Sequence, residues 1–245
     1  MYPIEKGKNM AEKIKVAILD DHQGIIDGYN FRLNSVKDIE VVETIGYGEE
    51  LEPLLAQQPV DLLLLDISVP TGPENRNPYP ILFMIPKLLK LYPNLTILVV
   101  TMHNQRTLIR AVLEAGATGY VLKDDQTSIK ELPSIIRLLV GGGIHLSQSA
   151  YQLVMKPQGS DLDQPLNTRQ LEALSLCAAY PDASTADLAG RMNIEGSTFR
   201  NLLSGVYLKL GVRTRAAAIA KARQMELIPP EGAIIDAYKL NGESG

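Results

Sequence analysis

Five short apolar runs punctuate the first half of the chain: IKVAIL at 14–19, IEVVETI at 39–45, VDLLLLD at 60–66, LTILVV at 95–100 and TGYVLK at 118–123. Runs this short, β-branched or leucine-rich and bounded by polar residues, read as strands buried on both faces. Amphipathic stretches at 22–35, 49–57, 81–91, 104–115 and 127–140 lie between and after them. In the fourth, Leu108, Ile109, Val112 and Leu113 recur at helical spacing. Five strand–helix units in succession predict an α/β domain over 14–140, a doubly wound five-stranded parallel sheet.

The second half has a different texture. Gly141-Gly142-Gly143 closes the first domain, and 141–165 reads as a linker holding a short helix at 147–155 and the polar stretch KPQGSDLDQP. From 166 onward no strand pattern occurs. Helical segments at 168–179, 184–192, 195–208 and 213–226 are separated by Tyr-Pro-Asp, Asn193 and Leu-Gly-Val, which predicts a small all-α domain over 166–228. Residues 229–245, with Pro-Pro and Gly-Glu-Ser-Gly, read as a C-terminal extension. A chain of 245 residues is long enough for two such cores.

Composition narrows the function classes. With 45% apolar and 21% charged residues the chain is an ordinary globular one. No apolar run approaches the roughly 18 to 20 residues needed to cross a bilayer, and the first thirteen residues lack a signal peptide's apolar centre. The expectation is a cytoplasmic protein with no membrane contact. The single cysteine, Cys177, excludes an internal disulfide and reads as a buried helix position between Leu176 and Ala178. The net charge of -4 is unevenly placed: residues 166–228 carry eight basic residues against five acidic, leaving the rest of the chain strongly acidic. Any contact with nucleic acid belongs to the second domain.

In an open parallel sheet, ligands bind beyond the carboxyl ends of the strands. Here those ends carry Asp20 and Asp21, then Asp66, then Thr101, then Lys123. Three carboxylates beside a hydroxyl and an ammonium make a hard, oxygen-rich site suited to Mg²⁺. Charge assigns the tasks: the cation and Lys123 neutralise a phosphoryl group, Thr101 donates to one of its oxygens, and Asp66 is the nucleophile. A single acid at a strand end is explained by helix capping; five groups in register are not. His22 and His103 flank the cluster, make no recognised metal-binding spacing, and read as surface or supporting groups.

The order Asp-Asp, Asp, Thr, Lys on successive strand ends resembles the receiver domain of two-component response regulators, over about residues 14–140. The resemblance implies that Asp20 and Asp21 hold Mg²⁺ together with Asp66 and the main-chain carbonyl of Ser68. It implies that Asp66 accepts phosphate from a sensor histidine kinase, and that Thr101 and Tyr120 form a switch pair that moves inward on phosphorylation. One departure stands out: after Pro70 this chain has the long TGPENRNPYP where the family usually has a short turn.

The stretches LNTRQLEAL at 166–174, STADLAGRMNI at 184–194, STFRN at 197–201 and KLGVRTRAAAIAKA at 209–222 resemble the LuxR-type helix-turn-helix. With the receiver they place the chain beside the NarL/FixJ branch. By that resemblance Glu195, Ser197, Thr198, Arg200 and Asn201 open the recognition helix, Lys209 approaches the DNA backbone, and 213–224 forms a dimerising helix. The match departs at Ala186, Phe199 and Leu202, which stand for a frequent lysine, valine and histidine, and at Gly196, which lowers helix propensity. Fewer phosphate-contacting cations weaken binding and its salt dependence.

The expectation is therefore a regulator, not an enzyme, in which phosphorylation at Asp66 controls sequence-specific DNA binding by a homodimer. The alternative is a phosphorylation-independent or protein-interaction module whose helical domain binds a partner rather than DNA. A phosphohydrolase could share the aspartyl nucleophile, but DISVP at 66–70 puts no acid two positions after it.

Overall fold

The computed structural model describes residues 12–155 and 166–230. The polar part of the expected linker, 156–165, and most of the expected C-terminal extension, 231–245, lie outside the described residues.

Strands β1 (Ile14–Leu19), β2 (Ile39–Ile45), β3 (Leu62–Leu65), β4 (Thr96–Thr101), β5 (Gly119–Leu122) and β6 (His145–Leu146) form one parallel sheet in the order β2-β1-β3-β4-β5-β6. The four leucines of β3 show why such runs lack visible alternation. Leu62 and Leu64 join a cluster with Ile26, Tyr29 and Leu33 of α1 (Gln23–Leu33) and Ile135, Ile136 and Leu139 of α6 (Leu132–Val140). Leu63 and Leu65 join the opposite cluster, with Ile85 and Leu88 of α3 (Ile81–Leu91) and Ile109 and Val112 of α4 (Arg106–Glu114). The period of two is present, but both faces are apolar.

The sheet has one strand more than the five read from the sequence. Two residues are too few to carry a periodic signal, and backbone geometry supplies the strand instead. Gly142, at φ +87, turns the chain where L side chains are strained. His145 N then donates to Thr118 O (3.1 Å), and Ser147 N donates to Tyr120 O (2.9 Å). The buried Ser147 hydroxyl accepts from Leu122 N at 3.2 Å and finishes the edge. Helix α7 (Gln148–Met155) follows and packs on α4 and β5.

The helical stretch expected at 127–140 is split into α5 (Gln126–Lys130) and α6. Pro133 is the cause: it has no N–H, and its ring clashes with the carbonyl four residues back, so it sits in the first turn of a new helix. The β2–β3 connection carries a 3-10 turn at Gly48–Glu50 and α2 (Leu51–Gln57).

Residues 166–230 contain α8 (Thr168–Ala179), α9 (Thr185–Arg191), α10 (Gly196–Leu210) and α11 (Arg215–Gln224). Reciprocal side-chain and main-chain bonds cap α8 through Asn167 and Gln170, and α9 through Ser184 and Asp187. Asn193 at φ 53 and Gly211 at φ 66 end α9 and α10 in the left-handed conformation. Helix α8 is buried from Gln170 to Ala179 because both sides are covered: α10 and α11 lie on one side, α3 and α4 of the sheet domain on the other. Thr168 Oγ1 also donates to Glu114 Oε2 at the end of α4, at 2.7 Å. One apolar cluster therefore runs through both halves of the molecule.

Candidate functional site

The sheet order reverses direction between β1 and β3, which opens a crevice at their carboxyl ends. Main-chain bonds place the site residues there. Asp20 N donates to Ile45 O (3.2 Å), Asp66 N to Leu19 O (2.9 Å) and Lys123 N to Thr101 O (2.8 Å), so each side chain is delivered by a sheet that continues one residue further.

The Lys123 ammonium lies 2.7 Å from Asp20 Oδ2 and 2.7 Å from Asp66 Oδ2. Asp20 is fully buried and Asp66 nearly so. Burial, and then the charge of Asp66, push the Asp20 carboxyl above its ordinary range against the pull of Lys123. Burial alone would lower Lys123, but the two carboxylates outweigh it and hold the ammonium above its usual value. Asp21 is also raised, chiefly by burial.

Donor atoms of Asp20, Asp21, His22 and Asp66 all lie within 4.8 Å of one another, a span that one cation can bridge. The donor set, dominated by carboxylate oxygens, fits a hard divalent ion. His22 comes closer to this cluster than its sequence position suggested: Nδ1 is 2.8 Å from Asp21 Oδ1. Ser68 N faces Asp66 Oδ1 at 3.4 Å, which puts the β3–α3 loop over the acidic pocket.

Thr101 and Tyr120 are fully buried. The Tyr120 hydroxyl donates to His103 O at 2.8 Å, an inward setting, and His103 N faces Thr101 Oγ1 at 3.4 Å. The His103 ring reaches across the site to Ser68 Oγ at 2.8 Å, joining the loops that follow β3 and β4. Burial pushes the His103 imidazole below its usual value.

In the helical half, Glu195 stands at the N-cap of α10, and Ser197, Thr198, Arg200 and Asn201 are exposed along its first two turns. Phe199, Leu203 and Val206 face inward. Lys209, near the other end of the same helix, donates to Gln170 Oε1 at 3.1 Å. The five residues at the start of α10 thus share one open surface, while Lys209 is tied back toward α8.

Residues 16–136 match the family described as the response regulator receiver domain. The chain belongs to the response regulators. Among relatives of this regulator, the transcriptional regulatory protein MctR of Rhizobium johnstonii is 27% identical over 222 residues, covering 90% of this chain and 98% of the relative. The oxygen regulatory protein NreC of Staphylococcus carnosus is 25% identical, covering 88% and 99%. A structure of RcsB from Salmonella typhimurium aligns over 85% of this regulator and 97% of its own chain, at 25% identity and TM-score 0.53. An RcsB–DNA complex aligns over 86% and 98%, at 25% identity and TM-score 0.54. The isolated RcsB receiver from Salmonella enterica serovar Typhimurium reaches 0.51 while covering only 58% of this regulator and 99% of its own chain, at 26% identity.

Sequence reasoning found the three carboxylates, the threonine, the tyrosine and the lysine that the fold brings together. It missed the Ser68–His103 bridge. The signal was there in the spacing, since each residue lies two positions past a strand-end site residue on neighbouring strands, but the loops must be folded before the two can meet.

Proposed function

We propose that this response regulator is phosphorylated on Asp66 by a sensor histidine kinase, and that the acyl phosphate controls sequence-specific DNA binding by residues 166–228. The observation that carries this reading is the Asp66 carboxylate held 2.7 Å from Lys123, at the mouth of the β1–β3 crevice and inside an acidic cluster. In the transfer, an Asp66 oxygen bonds to phosphorus as phosphorus leaves the kinase's histidine nitrogen. Lys123 shifts from bridging two carboxylates to facing the phosphoryl oxygens, and Thr101 offers its hydroxyl to one of them. Asp20, Asp21, Asp66 and the Ser68 carbonyl would hold Mg²⁺, which supplies charge neutralisation at the phosphoryl oxygens.

The readout follows from the loop contacts. Tyr120 and His103 report the position of the β4–α4 loop, and a phosphoryl group that draws in Thr101 moves the same loop. The exposed start of α10, with Glu195, Ser197, Thr198, Arg200 and Asn201, supplies the surface for base and phosphate contacts, and Lys209 lies further along the helix. The relatives are regulators by name, and one solved neighbour is a DNA complex. Action as a cytoplasmic homodimer belongs to the same reading. Among the described residues no helix is long and apolar enough to cross a membrane.

The test is incubation with Mg²⁺ and a small acyl-phosphate donor, followed by intact mass. Wild type should gain one phosphoryl group and Asp66→Ala none. In vitro selection with the phosphorylated chain should then enrich a DNA motif. A gain that persists in Asp66→Ala, or a selection that returns no motif, rejects the corresponding half of the proposal.

A further inference from the structure

The insertion at 71–80 folds into a rigid lobe. Thr71 N and Oγ1 both donate to Asn77 O, at 2.8 and 2.9 Å, and Gly72 N donates to Asn75 O at 2.9 Å. Pro70 and Pro78 form an antiparallel bridge at its neck. The root is fixed to the receiver: Pro70 O accepts from Gly48 N (2.9 Å), Thr71 O from Glu49 N (2.8 Å), and Val69 O from Tyr79 N (2.9 Å). The Tyr79 ring lies so close to Gly48 that a Cβ there would come within 2.1 Å of it.

The tip of this lobe touches the other domain. Asn75 Oδ1 accepts from the main-chain and side-chain nitrogens of Asn77, at 3.1 and 2.8 Å, which fixes the orientation of the amide. Its Nδ2 then donates to Ala179 O at 2.9 Å, 104 residues away. Ala179 is the last residue of α8, where helix carbonyls have no partner within the helix. Beside this bond, Tyr79, Phe83 and Met84 face Leu176, Tyr180 and Arg191 across a cavity of about 310 Å³.

We propose that the 71–80 lobe is a clasp that holds the helical domain to the receiver, with Asn75 as its positioning residue, and that it restrains DNA binding until Asp66 is phosphorylated. The inference rests on the function proposed above. Only four residues separate Asp66 from the lobe, and Ile67, Val69 and Pro70 among them are buried, so the connection has little slack. A shift of the Ser68 loop is passed to Asn75 and on to the end of α8. Helix α8 packs directly on α10, so its position sets that of the recognition surface. The restraint is a two-state contact biased by the loop that carries Asp66.

Asn75→Asp isolates the clasp. It keeps both acceptor contacts to Asn77 and sets a carboxylate in place of the donor, against the Ala179 carbonyl. In the full chain, phosphoryl uptake by intact mass should match wild type. Affinity of the unphosphorylated variant for the selected DNA should rise at least on the order of five-fold, the equilibrium value of one net hydrogen bond. Amide hydrogen exchange at the end of α8 and in the turn after it, 180–183, should accelerate. An unphosphorylated variant that binds DNA no more tightly than wild type, or exchange at 180–183 that stays equally slow, overturns the clasp. If wild type itself takes no phosphoryl group or selects no DNA, the functional reading fails, and the exchange comparison alone then decides whether the clasp exists.

Discussion

Lys123 holds two carboxylates at once, and that crowding determines what substitution at the site will do. Lys123→Met leaves Asp20 and Asp66 facing each other with no cation between them. Breaking a buried pair in this way costs about 3–5 kcal/mol, read as a lower urea midpoint in metal-free buffer. Millimolar Mg²⁺ should return part of that loss, because an ion that binds only the folded form stabilises it; an equal midpoint with and without Mg²⁺ would count against a cation site. Tyr120→Phe removes the donor to His103 O and should cost about 1 kcal/mol, the net value of one hydrogen bond in a partly buried place. Gly190 has the opposite prospect. It sits exposed in α9, and a methyl group added there would meet nothing within 4 Å, so Gly190→Ala should stabilise the helical domain by about 0.5–1 kcal/mol in thermal unfolding.

Helices and strands differ in how openly the sequence displayed them. The runs that became β1, β3 and β4 were legible because burial on both faces demands unbroken apolar residues, and α3 was legible from its helical spacing. Asp20, Asp66, Thr101 and Lys123 followed, because each ends or directly follows a strand, whereas Tyr120, inside β5, came only from the family resemblance. The lobe at 71–80 was visible only as extra length: main-chain bonds and an Asn75–Asn77 pair hold it, and polar loop residues look the same whether they order a loop or face solvent. Helix α8 was read at its observed bounds, 168–179, but that both its sides are covered was not, since a helix covered on two sides shows no single apolar stripe. Its full burial gives two predictions. Leu174→Ala should cost about 2–5 kcal/mol in urea unfolding, as a fully buried leucine does. Burial also pushes the Cys177 thiol up to about 11 from an ordinary 9.0. The folded chain therefore favours the neutral thiol, and this contribution is fully present below pH 9 and is lost as pH rises toward 11. Thiol labelling at about pH 8, where the unperturbed thiol begins to ionise, should proceed only as fast as the helical domain unfolds; rapid labelling of the native protein would contradict the burial.

For the molecule as a whole, the shared apolar cluster matters most. Two domains joined by a polar linker would unfold separately, whereas α8 belongs to both cores. Calorimetry should show a single transition. Leu176→Asp drives a charge into the inter-domain contact and should split that transition in two, with the receiver still able to take up phosphate. The small strand β6 bears on a different risk. It and the Ser147 hydroxyl occupy the main-chain groups of β5 along the outer margin of the sheet. A receiver cut after Val140 would keep its phosphorylation chemistry but present β5 as a bare margin, a template on which a neighbouring copy can lay its own strand. The stretch from Gly141 through Val154 thus serves as a guard against self-association, and a receiver fragment prepared without it should precipitate where one that retains it stays dispersed.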